Sequence, residues 1–324
     1  MVRLRRSHAD KPGIGRRKRG KGFSYLNPDG SILRDRDELR RIKELVIPPA
    51  WTDVWICPHP NGHIQVIGTD DAGRRQYMYH PVWREHKDRE KFDRALELGK
   101  SLRPVRAAVT RQLREQEPTQ QRAYAAAARI IDTGVLRVGN AEYATQNGSF
   151  GLTTLRCSHV SVSGDTVRFD FPAKSGQQWQ EELPDADLAA ALKPMLRRGP
   201  DEDALAYRNG DGWHSIESRG LNAYIATLAK GNFTAKDFRT WHATVRAAMS
   251  LAAADPEAAS ATARKKAVTA AMREVAEHLG NTMAVARSSY VDPRVVDQYM
   301  GGRTIPIGSY PSSERAVVDL LGSH

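Results

Sequence analysis

Apolar and polar positions alternate in short runs through the first eighty residues, and then the period changes. Phe23 to Leu26 leads into the turn residues Asn27-Pro28-Asp29-Gly30, and Ser31 to Leu33 follows. Val54 and Ile56 alternate before Pro58-His59-Pro60-Asn61-Gly62, and Ile64 and Val66 alternate after it. Period-two runs bounded by such residues predict half-buried strands. Residues 36 to 45 have a helical pattern, and the two prolines of Val46-Ile47-Pro48-Pro49 forbid its continuation. From about residue 84 the spacing is helical, with Phe92, Leu96, Leu98 and Leu102 and then Val105, Val109 and Leu113. Further helices are predicted over 120–136, 187–196, 218–228, 240–253 and 257–279. The last carries Val268, Met272, Val275 and Leu279 on one face, with Gly280 as its C-terminal cap.

One β excursion interrupts these helices. Val160 and Val162 alternate, Gly164-Asp165 turns, Val167, Phe169 and Phe171 alternate back, and Lys174-Ser175-Gly176 turns again before Trp179. A three-stranded antiparallel sheet with Lys174 at a hairpin tip is expected. The fold class is therefore α+β. A small β-rich N-terminal domain over 22–90 is followed by a larger, mainly α-helical domain over 91–324 that contains the small antiparallel sheet.

Charge adds a third segment. The chain has 324 residues, a net charge of +11 and a pI near 9.7. Residues 1–21 hold nine Lys or Arg against the single Asp10, which is most of that excess. Such a basic arm binds phosphates through counterion release, or it serves as a solvated tail; composition leaves the two level. Within it, Gly15 to Gly22 nearly spells a phosphate-binding P-loop, but Gly22 stands where the Mg²⁺-binding hydroxyl belongs and no apolar strand precedes it, so no nucleotide is expected. Cys57 and Cys157 have no partners at metal-ligand spacing, and neither a metal site nor a disulfide scaffold is expected. No apolar run approaches membrane-spanning length and the N-terminus lacks the apolar core of a signal peptide, so a cytoplasmic protein is expected.

The C-terminal run Leu279-Gly280-Asn281-Thr282-Met283-Ala284-Val285-Ala286-Arg287-Ser288-Ser289-Tyr290 places a polar side chain just after a helix stop and a tyrosine nine residues later. It resembles the terminal box of type IB DNA topoisomerases and of the related tyrosine recombinases. There the tyrosine is the nucleophile, and a histidine usually stands at the Asn281 position. Lys236-Asp237-Phe238-Arg239-Thr240-Trp241-His242 looks like the second arginine box, and Leu136-Arg137-Val138-Gly139-Asn140-Ala141-Glu142-Tyr143 like the first. Lys174 falls in the hairpin where that family keeps its catalytic lysine. Arg74-Arg75-Gln76-Tyr77-Met78-Tyr79-His80 is similar to the DNA-contacting strand of the poxvirus-type topoisomerases. Recombinases generally carry a helical N-terminal module instead.

The resemblance runs from about residue 22 to near the C-terminus and fits the poxvirus-like bacterial branch best. It implies transient single-strand cleavage and religation of duplex DNA, without metal, ATP or other cofactor, by a nucleoid-associated monomer that clamps its substrate. It assigns Tyr290, Arg137, Lys174, Arg239 and Asn281 to the chemistry, and Gln76, Tyr77, Tyr79, Asn140 and Tyr143 to DNA contacts.

The residue types suit these roles. Tyrosine can form a covalent phosphodiester that stores the bond energy for resealing. Arginine forks match the non-bridging oxygens of a pentacoordinate phosphorus, and a lysine can protonate the leaving 5′-oxygen. An amide at position 281 can donate a hydrogen bond but cannot act as an acid or base. Taken singly, these residues have plainer readings: Tyr290 as a packing residue, Lys174 as a solvated turn residue, and Arg137 and Arg239 as surface ion pairs with Glu142 and Asp237. A tyrosine recombinase and a non-enzymatic DNA-binding protein are the competing functions.

Overall fold

The computed structural model describes residues 3–134, 136–139, 144, 148–173, 176–254 and 260–322. Contacts divide the chain into two compact units, Met1–Glu90 and Lys91–His324. The first is built on an antiparallel sheet in the order β2-β1-β3-β4-β5, formed by β1 (Ile14–Arg19), β2 (Gly22–Leu26), β3 (Thr52–Ile56), β4 (Ile64–Thr69) and β5 (Arg75–Tyr79). Helix α1 (Arg36–Glu44) starts where the Asp35 carboxylate accepts from the Asp37 and Glu38 amides at 2.9 and 3.0 Å. Its buried Ile42 joins Ile14, Leu33, Val54, Ile56 and Val66 in the core of this unit.

Part of the basic segment departs from the reading of it as a solvated tail. Ile14–Arg19 is a strand paired with β2 and β3, because Ile14 is an apolar anchor 3% exposed. Arg16 is structural: its Nη2 donates to the Pro48 carbonyl at 3.0 Å and the Trp51 carbonyl at 2.5 Å, and its guanidinium lies 4.2 Å from the Phe23 ring centroid. The P-loop look-alike is the β1–β2 hairpin, turning at Gly20 with φ +58°.

Helix α2 (Pro81–Leu113) begins three residues earlier than its periodicity suggests, since a proline in the first turn has no N–H to forfeit. It continues through Pro104, so the two periodic runs are one helix. The second unit adds α3 (Gln120–Ile131), α4 (Ala186–Met195), α5 (Ser218–Ala229), α6 (Ala235–Ala252), α7 (Ala261–Leu279), α8 (Pro293–Met300) and α9 (Tyr310–Gly322). Helix α6 is buried nearly all round, and Phe238, Trp241, Val245 and Leu251 sit within the core.

The antiparallel sheet of β6 (Val160–Ser163), β7 (Thr166–Pro172) and β8 (Gln178–Pro184) pairs Val160 with Phe169 and Phe171 with Trp179. It is not the only β excursion. Strands β9 (Ala206–Asn209) and β10 (Gly212–Ser215) form a second hairpin. Asn209-Gly210-Asp211-Gly212 makes its turn, and each strand, at four residues, is too short to show alternation.

Candidate functional site

Helix α7 ends in a left-handed cap. Gly280 has φ +57°, and the Asn281 amide reaches back to the Ala276 carbonyl at 2.9 Å. This turn leaves the Leu279 and Gly280 carbonyls at the helix end, the negative pole of its dipole. Arg239 Nη2 donates to the Leu279 carbonyl at 3.0 Å. Arg137 Nη2 donates to the Gly280 carbonyl at 3.0 Å and to Asn281 Oδ1 at 2.7 Å. Two arginines far apart in sequence thus meet at consecutive carbonyls of one helix end.

Arg239 is 3% exposed on α6, so it is no surface ion pair. Its expected local partner, Asp237, is committed elsewhere: it caps α6 by accepting from the Thr234 amide at 2.8 Å and pairs with Arg94 at 2.9 Å. Burial pulls the Arg239 guanidinium down to about 10; Tyr290 opposes that shift and the Arg137 charge adds to it. The group therefore stays cationic at neutral pH.

Arg137 sits in the segment after α3, and that segment is held by its backbone. The Leu152 and Thr153 amides donate to the Arg137 and Val138 carbonyls at 2.8 and 2.7 Å. Gly139, at φ +92°, lies so close to Gly151 that a Cβ on Gly151 would stand 2.5 Å from the Gly139 Cα.

Tyr290 closes a single π-helical turn, Ala286–Tyr290, in which the Val291 amide reaches the Ala286 carbonyl at 3.0 Å. Such turns recur at functional sites because they rotate one side chain out of the helical repeat. The buried Thr244 of α6 takes part here, its hydroxyl donating to the Thr240 carbonyl at 2.8 Å, accepting from the Asp292 amide at 3.1 Å and lying 3.4 Å from the Tyr290 carbonyl. The Tyr290 ring lies 5.3 Å from the Arg239 guanidinium carbon. Nothing in the sequence pattern marked Thr244.

The structure thus gathers Arg137, Arg239, Asn281 and Tyr290. Lys174, Asn140, Tyr143 and Glu142 lie outside the described residues. On edge strand β5, Tyr77 and Tyr79 are 43% and 47% exposed, with rings stacked at 6.3 Å. The Arg75 guanidinium carbon is 5.8 Å from the Tyr77 ring. Gln76 points away from them, and its Nε2 donates to Asp70 Oδ2 at 2.9 Å. With the Arg74 hydrogen bonds as the larger cause, these contacts hold the Asp70 carboxyl down to about 2. Among the described residues no group of three or more His, Cys, Asp or Glu could hold a metal ion, and no helix is long and apolar enough to cross a membrane.

Comparisons with known proteins show the family. Residues 80–300 match the family model described as the catalytic core of eukaryotic DNA topoisomerase I, and residues 22–70 match the N-terminal domain of bacterial DNA topoisomerase IB. A DNA topoisomerase 1B of Acanthamoeba polyphaga mimivirus is 31% identical over 294 residues, covering 89% of this chain and 87% of that protein. A DNA topoisomerase 1 of Mycosarcoma maydis is 27% identical over 181 residues, covering 50% of this chain and 18% of its own length. The DNA topoisomerase 1B of Vaccinia virus (strain Copenhagen) is 18% identical over 287 residues, covering 86% and 88%. With the two family models spanning both units and the mimivirus relative aligned almost end to end, the chain belongs to the type IB DNA topoisomerases, in the branch that carries the bacterial N-terminal domain.

Proposed function

We propose that this chain relaxes supercoiled duplex DNA by attack of the Tyr290 hydroxyl on one backbone phosphorus. The attack expels the 5′-oxygen and forms a 3′-phosphotyrosyl link, and the freed 5′-hydroxyl later reverses the step. One phosphodiester is exchanged for another, so resealing needs no ATP. Arg137 and Arg239 stabilise the charge on the non-bridging oxygens, a role worth about 3 kcal/mol for a well-placed donor, and Asn281 supplies a neutral donor to the same oxygens. Lys174 is the proton donor to the leaving oxygen, an assignment that rests on the family resemblance alone.

The observation that carries this reading is the convergence of Arg137, Arg239, Asn281 and Tyr290 at the C-terminal end of α7. Guanidinium forks gathered there match the non-bridging oxygens of an incoming phosphate. Tyr77, Tyr79 and Arg75 on exposed strand β5 suit contacts to the DNA backbone. The protein acts as a monomer, without nucleotide or metal, in association with the nucleoid.

The test is relaxation of positively and negatively supercoiled plasmid in EDTA without ATP, followed by denaturation on labelled DNA and peptide mapping. Both plasmids are expected to relax, with a 3′-linked adduct at Tyr290, and Tyr290→Phe is expected to be inactive. Undiminished relaxation by that variant would remove the reading. DNA binding with no adduct would favour a non-enzymatic binder, and strand exchange between paired sites a recombinase.

A further inference from the structure

Behind the two arginines lies a buried polar network that the chemistry above does not use. Asp132, at the end of α3, accepts from Arg106 Nε at 2.5 Å, from Arg106 Nη2 at 2.9 Å and from His242 Nε2 at 3.1 Å. Arg106 Nη1 also donates to Glu314 Oε2 at 2.6 Å, and Trp241 Nε1 to Glu314 Oε1 at 3.0 Å. His242 is 3% exposed, and its Nδ1 is hydrogen-bonded to the Tyr310 hydroxyl. The Tyr310 ring stacks on it at 5.6 Å.

The donor and acceptor roles follow from the chemistry of each group. Burial opposes ionisation of Asp132, but the hydrogen bonds from His242 and Arg106 outweigh it and hold the carboxyl below its ordinary value. A carboxylate only accepts, so Nε2 of His242 carries the proton. Burial, the largest cause, pushes the Tyr310 phenol well above its ordinary value, so its hydroxyl stays a donor to Nδ1.

This network meets the candidate site through three consecutive residues. His242 grips Asp132, the His278 ring hydrogen-bonds to the Thr133 backbone, and Arg239 Nη1 reaches the Gly134 carbonyl at 3.4 Å. Gly134, at φ +75°, lies flat against His242: a Cβ there would stand 2.4 Å from the His242 Cβ. The same segment runs on to Arg137. One face of α6 therefore holds the loop at two points a helical turn apart, by Arg239 and by His242, and that loop delivers the second arginine.

We propose that His242, oriented by Asp132 and by Tyr310 of the C-terminal helix, is a positioning residue that sets the distance between Arg137 and Arg239 in the transition state. This rests on the proposed function. His242 touches no substrate; it acts through Arg239 and the loop that Arg239 grips. Misplacing a transition-state donor by about 1 Å costs on the order of 100-fold in rate, so loosening the network should show in the cleavage step and not in DNA affinity.

The test uses Tyr310→Phe, which keeps the stacked ring and removes only the hydroxyl that orients His242, with His242→Gln as a second variant. Single-turnover formation of the Tyr290 adduct, equilibrium DNA affinity and thermal midpoint are measured in the full-length chain, each variant also being made in an Arg239→Ala background. Adduct formation is expected to slow about tenfold or more, short of the ~100-fold limit, with affinity and midpoint unchanged and with no further slowing once Arg239 is gone. Adduct formation at the unmodified rate in both variants would overturn the proposal, and so would equal slowing in both backgrounds, which marks general loosening of the fold. Absence of any adduct from the unmodified chain would remove the proposed function and this inference together.

Discussion

Arg137 donates to Asn281 Oδ1 at 2.7 Å, and this single contact sets which way the amide of Asn281 faces. With its oxygen turned to the guanidinium, Nδ2 is left buried without a hydrogen-bond partner among the described residues. A buried donor left unsatisfied costs about 1–3 kcal/mol, and a phosphate oxygen arriving at the site would relieve it. The amide, standing where relatives of this kind usually keep histidine, is thus already oriented as a donor.

Asn281→Ala is accordingly expected to slow single-turnover cleavage of a labelled duplex about 100-fold, the cost of one lost transition-state donor. Asn281→Asp should be slower still, because a carboxylate both neutralises Arg137 and repels phosphate. Asn281→His, which restores an N–H, should be the fastest of the three. An alanine variant cleaving at the unmodified rate would show that the amide donates nothing to the transition state.

The contact between Gly139 and Gly151 tests how the Arg137 segment is held. A Cβ on Gly151 would meet the Gly139 Cα at 2.5 Å, the Gly139 N at 2.6 Å and the Arg137 carbonyl at 2.9 Å, all backbone atoms that no rotamer change can move. Gly151→Ala should cost about 1–3 kcal/mol in a denaturant titration and slow cleavage by displacing Arg137. Gly199→Ala, whose new methyl would make only ordinary contact at 3.7 Å, is the control and should leave both unchanged.

The candidate site was legible in the sequence to the extent that its members sit in short boxes with fixed spacing. Gly280 as a helix cap and Tyr290 nine residues after Asn281 are local patterns, and local patterns survive in a linear reading. Beyond Asn281, the arginines also grip the backbone carbonyls of Gly134, Leu279 and Gly280, which carry no residue-type signal. Thr244 was missed for the same reason. In the fold, α7 and the β6–β8 sheet were read from periodicity, whereas the β9–β10 hairpin has strands too short to alternate. The basic segment misled because charge dominates its composition, and pairing through Ile14 and the inward guanidinium of Arg16 appears only in three dimensions.

That correction divides the basic residues by role. Arg16 donates to the Ile47, Pro48 and Trp51 carbonyls, whereas Arg17, Lys18 and Arg19 are exposed. Arg16→Ala should lower stability by about 1–3 kcal/mol, since it strips partners from partly buried carbonyls. Alanine at Arg17 or Lys18 should leave stability within about 0.5 kcal/mol and, where these side chains meet phosphate, reduce the salt dependence of DNA binding. Urea midpoints and binding measured across salt concentrations separate the two effects.

On β5 the exposed rings of Tyr77 and Tyr79 are expected to act on DNA affinity and not on folding. Phenylalanine at either position should weaken duplex binding by about 1 kcal/mol, the value of one hydrogen bond, with no change in thermal midpoint. Gln76→Ala is expected to differ, because its amide bonds Asp70 beneath the strand and not the exposed face. A loss of affinity from Gln76→Ala matching that of the tyrosine variants would place this amide on the DNA after all.

His278 gives the fold an acid-sensitive point. Its Nε2 is buried without a partner among the described residues, and burial, then the charges of Arg246 and Arg239, pull the ring from 6.5 down to about 4. Between those two values the unfolded chain takes up a proton that the folded chain refuses. Stability therefore rises with pH across that window and is lost as pH falls toward 4. Below it both states are protonated and this contribution levels off. The carboxylate of Asp132, held below its ordinary value, loses its own contribution only at lower pH, so the two are separable. Urea midpoints measured from pH 7 to 4 should fall less steeply for His278→Gln than for the unmodified chain, since glutamine cannot titrate. Parallel curves would mean that the His278 ring is protonated as readily in the fold as outside it.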